Sequence, residues 1–261
     1  MNRNIVAIGG GEVFVPCQTP ETFEIDRYIL RIACDNLEQM NIRRRLRFLF
    51  IPTASGDDLP YCNSLYVIYN LRLGCDFDHL RILGEKLDDE QVRLKINWAD
   101  IIYVGGGNTD KMMRAWRRRG VDRLLVKAYQ AGKVLCGLSA GAICWFESGV
   151  SDSRRFFKPE NPNWKPILVK GLGLLPGVCC PHYDVEGGWR VPACEELLRH
   201  HPSRQVIALE NLCALHVVNG KQYKVFSYDN RKGYLLSRPA GLPVSRQIYE
   251  GTVKSWRTNR C

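Results

Sequence analysis

Along the chain, short apolar runs rich in β-branched and aromatic residues alternate with longer amphipathic stretches. The apolar runs predict strands at 4–8, 47–51, 77–82, 100–104, 134–136, 206–209, 214–218 and 224–228. Between the first two, Ile25, Ile29, Ala33 and Leu37 recur on one face at helical spacing. Further helices are expected over 59–73, 109–119 and 121–130, in the stretch after Ser139, and over 193–200. Strand–helix–strand alternation predicts an α/β fold in three layers, a mostly parallel, doubly wound sheet with helices on both faces. One domain spanning 1–261 fits this pattern. Residues 151–170 interrupt it with charge, proline and asparagine and no period, which reads as an active-site loop insertion or as a plain surface excursion.

Three of the strands run into small-residue turns at 8–11, 52–56 and 104–109. In open α/β sheets the carboxyl ends of the strands form the ligand crevice, and glycine there lets backbone N–H groups approach a ligand closely. Each turn taken alone needs no more than a tight strand-to-helix reversal; three together imply a crevice. Neither G-x-G-x-x-G nor a Walker pattern occurs, which leaves nucleotide binding a minor reading.

Composition narrows the class. With 45% hydrophobic and 25% charged residues in 261, the chain is neither disordered, collagen-like nor a coiled coil. No apolar run approaches the ~20 residues of a membrane span, and the N-terminus lacks the apolar core of a signal peptide, so a cytoplasmic protein with no membrane contact is expected. Lysine and arginine exceed acidic residues by 37 to 27, a formal +10. The clusters Arg43–Arg45 with Arg47, Arg117–Arg119, and Arg154 with Arg155 lack aromatic interleaving, so they read as solvated surface and nucleic acid as an unlikely partner. The 11 cysteines show no C-x-x-C and no zinc-like spacing, which fits reduced buried thiols and predicts no metal. The vicinal pair Cys179-Cys180 lies close enough to His182 to raise the question of redox sensitivity.

The sharpest chemical signal is Val134-Leu-Cys-Gly137-Leu-Ser139-Ala-Gly141-Ala-Ile143, an apolar strand entering G-x-S-x-G and then a helix. A serine there sits on a strained turn with its hydroxyl above the sheet, and the helix N-terminus favours the negative charge of a tetrahedral intermediate. The nucleophile needs a base. His79 and His216 lie in or beside apolar strands, and His200-His201 end a helix. His182, in Cys-Pro-His-Tyr-Asp past an apolar stretch, is the best candidate. The acid that would orient it is open between Glu210, which follows the strand at 206–209, Asp184 and Asp152. The order Ser139, His182, Glu210 differs from the Ser, acid, His order of α/β-hydrolases.

These residues resemble the aspartyl dipeptidase (peptidase E) and cyanophycinase family of serine peptidases, whose fold is similar to class I glutamine amidotransferases. The motifs Val104-Gly-Gly-Gly-Asn-Thr109, Gly137-Leu-Ser-Ala-Gly-Ala142, Pro181-His-Tyr183 and Ile207-Ala-Leu-Glu210 carry the likeness, supported by Pro52-Thr-Ala-Ser55. The resemblance implies that Ser139 is the nucleophile, His182 the base and Glu210 the acid, with Asp152 as the alternative acid. It implies an oxyanion hole from the Gly107 and Ala140 N–H groups. It further implies a small, aspartate-containing peptide as substrate, no cofactor, and an acyl-enzyme pathway. Asn108, Arg154 and Arg155 are candidate substrate-binding residues, with Arg190 another candidate cation. Trp145, Phe146 and the segment 154–157 are expected near the substrate side chain. A homodimer is a candidate assembly. Two rival functions stand beside the peptidase: a catalytically altered binding or regulatory protein, and a non-peptidase amidase or esterase.

Overall fold

Two mixed sheets share one core in the computed structural model, which describes residues 2–13, 19–156, 163–184, 188–242 and 244–252. The chain opens with β1 (Asn4–Ile8), α1 (Phe23–Gln39), β2 (Arg47–Ile51), α2 (Leu59–Tyr66), β3 (Asp76–His79) and α3 (Asp89–Trp98). It continues with β4 (Ile101–Val104), α4 (Thr109–Arg119), α5 (Val121–Gln130), β5 (Val134–Leu138) and the single-turn α6 (Ala140–Ile143). Then follow β6 (Phe146–Ser151), β7 (Ile167–Lys170), β8 (Leu175–Cys180), α7 (Arg190–His200), β9 (Val206–Leu209) and β10 (Cys213–Val218). The last strands are β11 (Gln222–Ser227), β12 (Gly233–Ser237), β13 (Val244–Ile248) and β14 (Glu250–Thr252).

The larger sheet has the order β14-β11-β10-β1-β5-β4-β2-β3. Its strands from β1 to β3 are parallel, as the alternation predicts, while β10, β11 and β14 run antiparallel at the other side. β1, β4 and β5 are buried along their whole length, which is why they read as continuous apolar runs. The smaller sheet, β13-β12-β9-β8-β6-β7, keeps β6, β8 and β9 parallel and flanks them with antiparallel strands. Ile5 and Ala7 of one sheet and Cys179, Ile207 and Leu235 of the other belong to the same apolar cluster.

The interrupting segment 151–170 is less irregular than its composition suggests. Ser153–Phe156 forms a 3-10 turn and β7 pairs with β6 as an edge strand, while 157–162 lie outside the described residues. Trp145 and Phe146, expected near a substrate, are instead completely buried at the start of β6. The helix expected over 59–73 changes character after Tyr66 and continues as a π-helical stretch over Val67–Arg72. Among the described residues, no helix is long and apolar enough to cross a membrane.

One core residue carries a pH dependence. Asp26 on α1 is fully buried, where it accepts hydrogen bonds from the Tyr69 hydroxyl at 2.6 Å and the Thr22 hydroxyl at 3.0 Å. Burial raises its carboxyl to about 7. A raised carboxyl stabilises the fold fully below its unfolded value near 4, and that contribution is lost as pH climbs through 7. The loss amounts to as much as about 4 kcal/mol. Asp26→Asn keeps the shape without the charge. Thermal melts at pH 5 and pH 8 should show wild type losing at least ~5 °C that the variant keeps.

Candidate active site

The site is assembled on the end of β1. Parallel pairing with β5 brings Ile8 opposite Leu138, and the Ser139 N–H donates to the Ile8 carbonyl at 3.0 Å. The next carbonyl, Gly9, accepts the His182 N–H at 2.9 Å, and the next, Gly10, accepts the Leu212 N–H at 2.9 Å. Three segments far apart in sequence are therefore aligned by three consecutive carbonyls. Antiparallel pairing of β10 with β1 delivers the turn at 210–212, and β8 delivers His182.

Ser139 occupies φ 57°, ψ −109°, a backbone region costly for any residue with a side chain. The flanking glycines are needed because a Cβ on Gly137 would strike the Gly141 backbone, and one on Gly141 would strike the Val104 carbonyl. Ser139 remains partly exposed at the cap of α6, and its hydroxyl makes no capping bond. His182 and Leu212 also adopt positive φ, 53° and 58°. Left-handed strain is thus concentrated where the segments meet.

The glycine turn after β4 lies against the elbow. A Cβ on Gly106 would be 3.5 Å from the Cβ of Ser139. Gly107 has φ +133° and is pressed against Ala54, positions only glycine fills comfortably. The Gly105 N–H goes to the Ile51 carbonyl and the Asn108 N–H to the Ala54 carbonyl. The Gly107 N–H and the Ala140 N–H, in the first turn of α6, are given to no other protein group among the described residues.

The imidazole of His182 is oriented by Asn211 rather than by Glu210. His182 Nδ1 donates to Asn211 Oδ1 at 2.6 Å, which fixes the tautomer and leaves Nε2 free to accept a proton. Glu210 is turned away because its N–H continues the β9–β12 ladder to the Lys232 carbonyl. Its carboxylate accepts from the Lys232 N–H at 2.8 Å and the Tyr234 hydroxyl at 3.1 Å. Asn211 is the first side chain to leave that ladder. Behind it, Asp184 accepts the Asn211 N–H at 2.7 Å and pairs with Arg231 at 2.9 Å. Asp152 lies with Arg190, at 3.9 Å, rather than on the imidazole nitrogen.

Arg190, at the start of α7, stacks 4.3 Å over the Trp189 ring, and Trp164 meets Trp189 edge-on at 5.1 Å. The Arg190 Nε is buried without a hydrogen-bond partner among the described residues. Burial, and next the Arg190 charge, push the His182 imidazole below its ordinary range. Asn108 is buried, caps α4 by accepting the Lys111 N–H, and donates to the Ser153 carbonyl. Arg154 and Arg155 are exposed on the 3-10 turn. Cys179 and Cys180 alternate across β8 into different apolar clusters.

A family model, Peptidase family S51, matches residues 30–225, three quarters of the chain. The chain belongs to peptidase family S51. This S51 chain is 34% identical over 226 residues to an uncharacterized peptidase, YgaJ, of Bacillus subtilis, covering 86% of this chain and 87% of that one. A shorter stretch, 34% of each chain, is 34% identical to Peptidase E of Streptomyces coelicolor. The crystal structure of a peptidase from an acI-B1 Actinobacterium shares the fold with a TM-score of 0.68 at 19% identity, covering 95% of this chain and 96% of that one. The motifs quoted for the family from 104 to 210 all fall inside the matched region of this S51 peptidase.

Proposed function

We propose that this S51 peptidase is a serine peptidase in which Ser139 attacks the scissile carbonyl and His182 Nε2 takes and returns the proton. Asn211 holds the imidazole, and an acyl-enzyme on Ser139 is then hydrolysed. The Gly107 and Ala140 N–H groups receive the oxyanion. The observation that carries the reading is the fixing of Ser139, His182 and the 210–212 turn by three successive β1 carbonyls. A neutral orienting group suits an imidazole whose charged form is already disfavoured by burial and by Arg190.

Arg190 supports an acidic peptide as substrate. Its guanidinium is desolvated on one side, stacked on Trp189, and countered among the described residues by Asp152 at 3.9 Å. A substrate carboxylate would complete its hydrogen bonding, and charge-assisted bonds of this kind are the strong ones. The exposed Arg154 and Arg155 offer no such preorganised site.

A panel of Asp-Xaa, Glu-Xaa and neutral dipeptides, offered to wild type and Ser139→Ala, tests the reading. Hydrolysis lost in the variant supports the mechanism, and hydrolysis unchanged in it overturns the mechanism. Absence of both hydrolysis and fluorophosphonate labelling of Ser139 would favour a binding protein. Esters or amides cleaved in place of dipeptides would indicate a non-peptidase hydrolase. Arg190→Gln should raise KM for the acidic members by at least ~10-fold and leave neutral members unchanged. Removing that cation should also move the acid limb of kcat/KM to higher pH, because the Arg190 charge lowers the His182 pKa.

A further inference from the structure

We infer that Asp184 is a positioning residue that holds Asn211 where it can orient the His182 imidazole, an inference resting on the serine-peptidase reading. The turn after β9 that presents Asn211 does not hold itself. Leu212 sits at φ 58°, a left-handed conformation costly for a bulky side chain, so the turn keeps its shape through its hydrogen bonds. Four consecutive N–H groups need acceptors there. Glu210 donates to the Lys232 carbonyl, Leu212 to the Gly10 carbonyl and Cys213 to the Glu210 carbonyl. The fourth, from Asn211, goes to a side chain, Asp184 Oδ1 at 2.7 Å.

Asp184 arrives on the same segment as the base. The His182 N–H is bound to Gly9, and the Tyr183 N–H to the Leu209 carbonyl at 3.0 Å, so 182–184 is fastened alongside the end of β9. That segment grips Asn211 twice: His182 Nδ1 meets its side-chain oxygen at 2.6 Å, and Asp184 takes its backbone N–H. Two torsions separate the Asn211 Cα from Oδ1, so rotation of the 210–211 peptide carries that oxygen away from the imidazole. The other Asp184 oxygen accepts from Arg231 Nη1 at 2.9 Å. Arg231 lies between β11 and β12, where its own N–H is bound to the Ser227 hydroxyl at 3.1 Å. The Arg231 contact settles the orientation of the carboxylate and leaves Oδ1 to Asn211. Asp184, a candidate from the sequence for the acid on His182, acts one hydrogen bond further back, through Asn211.

Asp184→Ala removes the acceptor for Asn211. The second-order rate of fluorophosphonate labelling at Ser139, per folded molecule, should fall about 10²-fold, the cost of misplacing a catalytic group by about 1 Å. On any cleaved dipeptide kcat should fall in parallel with KM within about twofold, since the lost contact orients the base and does not bind substrate. Asp184→Asn combined with Arg231→Gln abolishes the ion pair but keeps an oxygen for the Asn211 N–H, and should recover labelling to within about fivefold of wild type. A merely structural ion pair would lower the melting temperature of both proteins and leave labelling per folded molecule untouched. Wild-type labelling by Asp184→Ala overturns the positioning role. So does a double variant as slow as Asp184→Ala, which would make the charge and not the acceptor decisive. The serine mechanism stands in either case. If wild-type Ser139 does not label, the serine reading itself fails, and the role of Asp184 with it.

Discussion

Ser139→Ala is expected to lower kcat by about 10⁵- to 10⁶-fold, with His182→Ala nearly as damaging and the double variant scarcely worse. In the proposed mechanism nucleophile and base act as one unit, so removing either abolishes the covalent route. The elbow gives this experiment a second readout. Ser139 holds φ 57°, ψ −109° between two glycines that cannot accept a Cβ, so the strain belongs to the site and not to the serine oxygen. Alanine inherits that strain, whereas glycine relieves it. Ser139→Gly should therefore be as inactive as Ser139→Ala and yet melt above wild type. Progress curves and thermal melts on the three proteins decide the matter; activity of Ser139→Ala within tenfold of wild type would remove the serine from the mechanism.

Gly10→Ala should cost at least about 10³-fold in kcat, through displacement of the His182–Asn211 pair. A Cβ at Gly10 would enter the space of Asn211 Oδ1 and of His182 Nδ1 and Cε1 together. All three are side-chain atoms, so the variant can fold by pushing them aside, which distinguishes it from changes at Gly137 or Gly141 that strike backbone. Misplacement of a catalytic group by about 1 Å is enough for a 10²-fold loss, and the wrong imidazole tautomer for about 10⁴-fold. The far-ultraviolet spectrum should be unchanged, while the pH–rate profile loses its His182 limb. Full activity in Gly10→Ala would mean that the pair is not the working base.

The elbow was legible because its chemistry imposes a local rule: small residues on both sides of a strained serine, after an apolar strand. His182 was legible for a similar reason, as a histidine just past an apolar stretch. Asn211 was not. Its partnership with His182 spans 29 residues and depends on how β9 pairs with β12, which draws Glu210 toward Lys232 and Tyr234 and leaves the next side chain to the imidazole. An acid directly after an apolar strand carried the pattern, but the ladder ran one residue further than the apolar run.

The same contrast governs the fold. β1 and β2 are apolar after their first residue and β9 is apolar throughout, and all three were readable to the residue. β8 is Leu-Pro-Gly-Val-Cys-Cys, whose proline and glycine argue against a strand until its neighbours are known. α3 has only two buried residues, Val92 and Ile96, so its apolar stripe is too thin to see; its signature is the capping box of Asp88 and Gln91.

The carbonyls of Ile8, Gly9 and Gly10 also set an order of events in synthesis. β1 leaves the ribosome first, but its partners β5 and β10 lie at 134–138 and 213–218, and Leu212 must arrive before the last carbonyl is used. Chains emerge at about 5–20 residues per second, so β1 waits on the order of ten seconds or more for its final neighbour. Until then no incomplete chain holds the three segments together, and on the serine-peptidase reading none can hydrolyse a peptide.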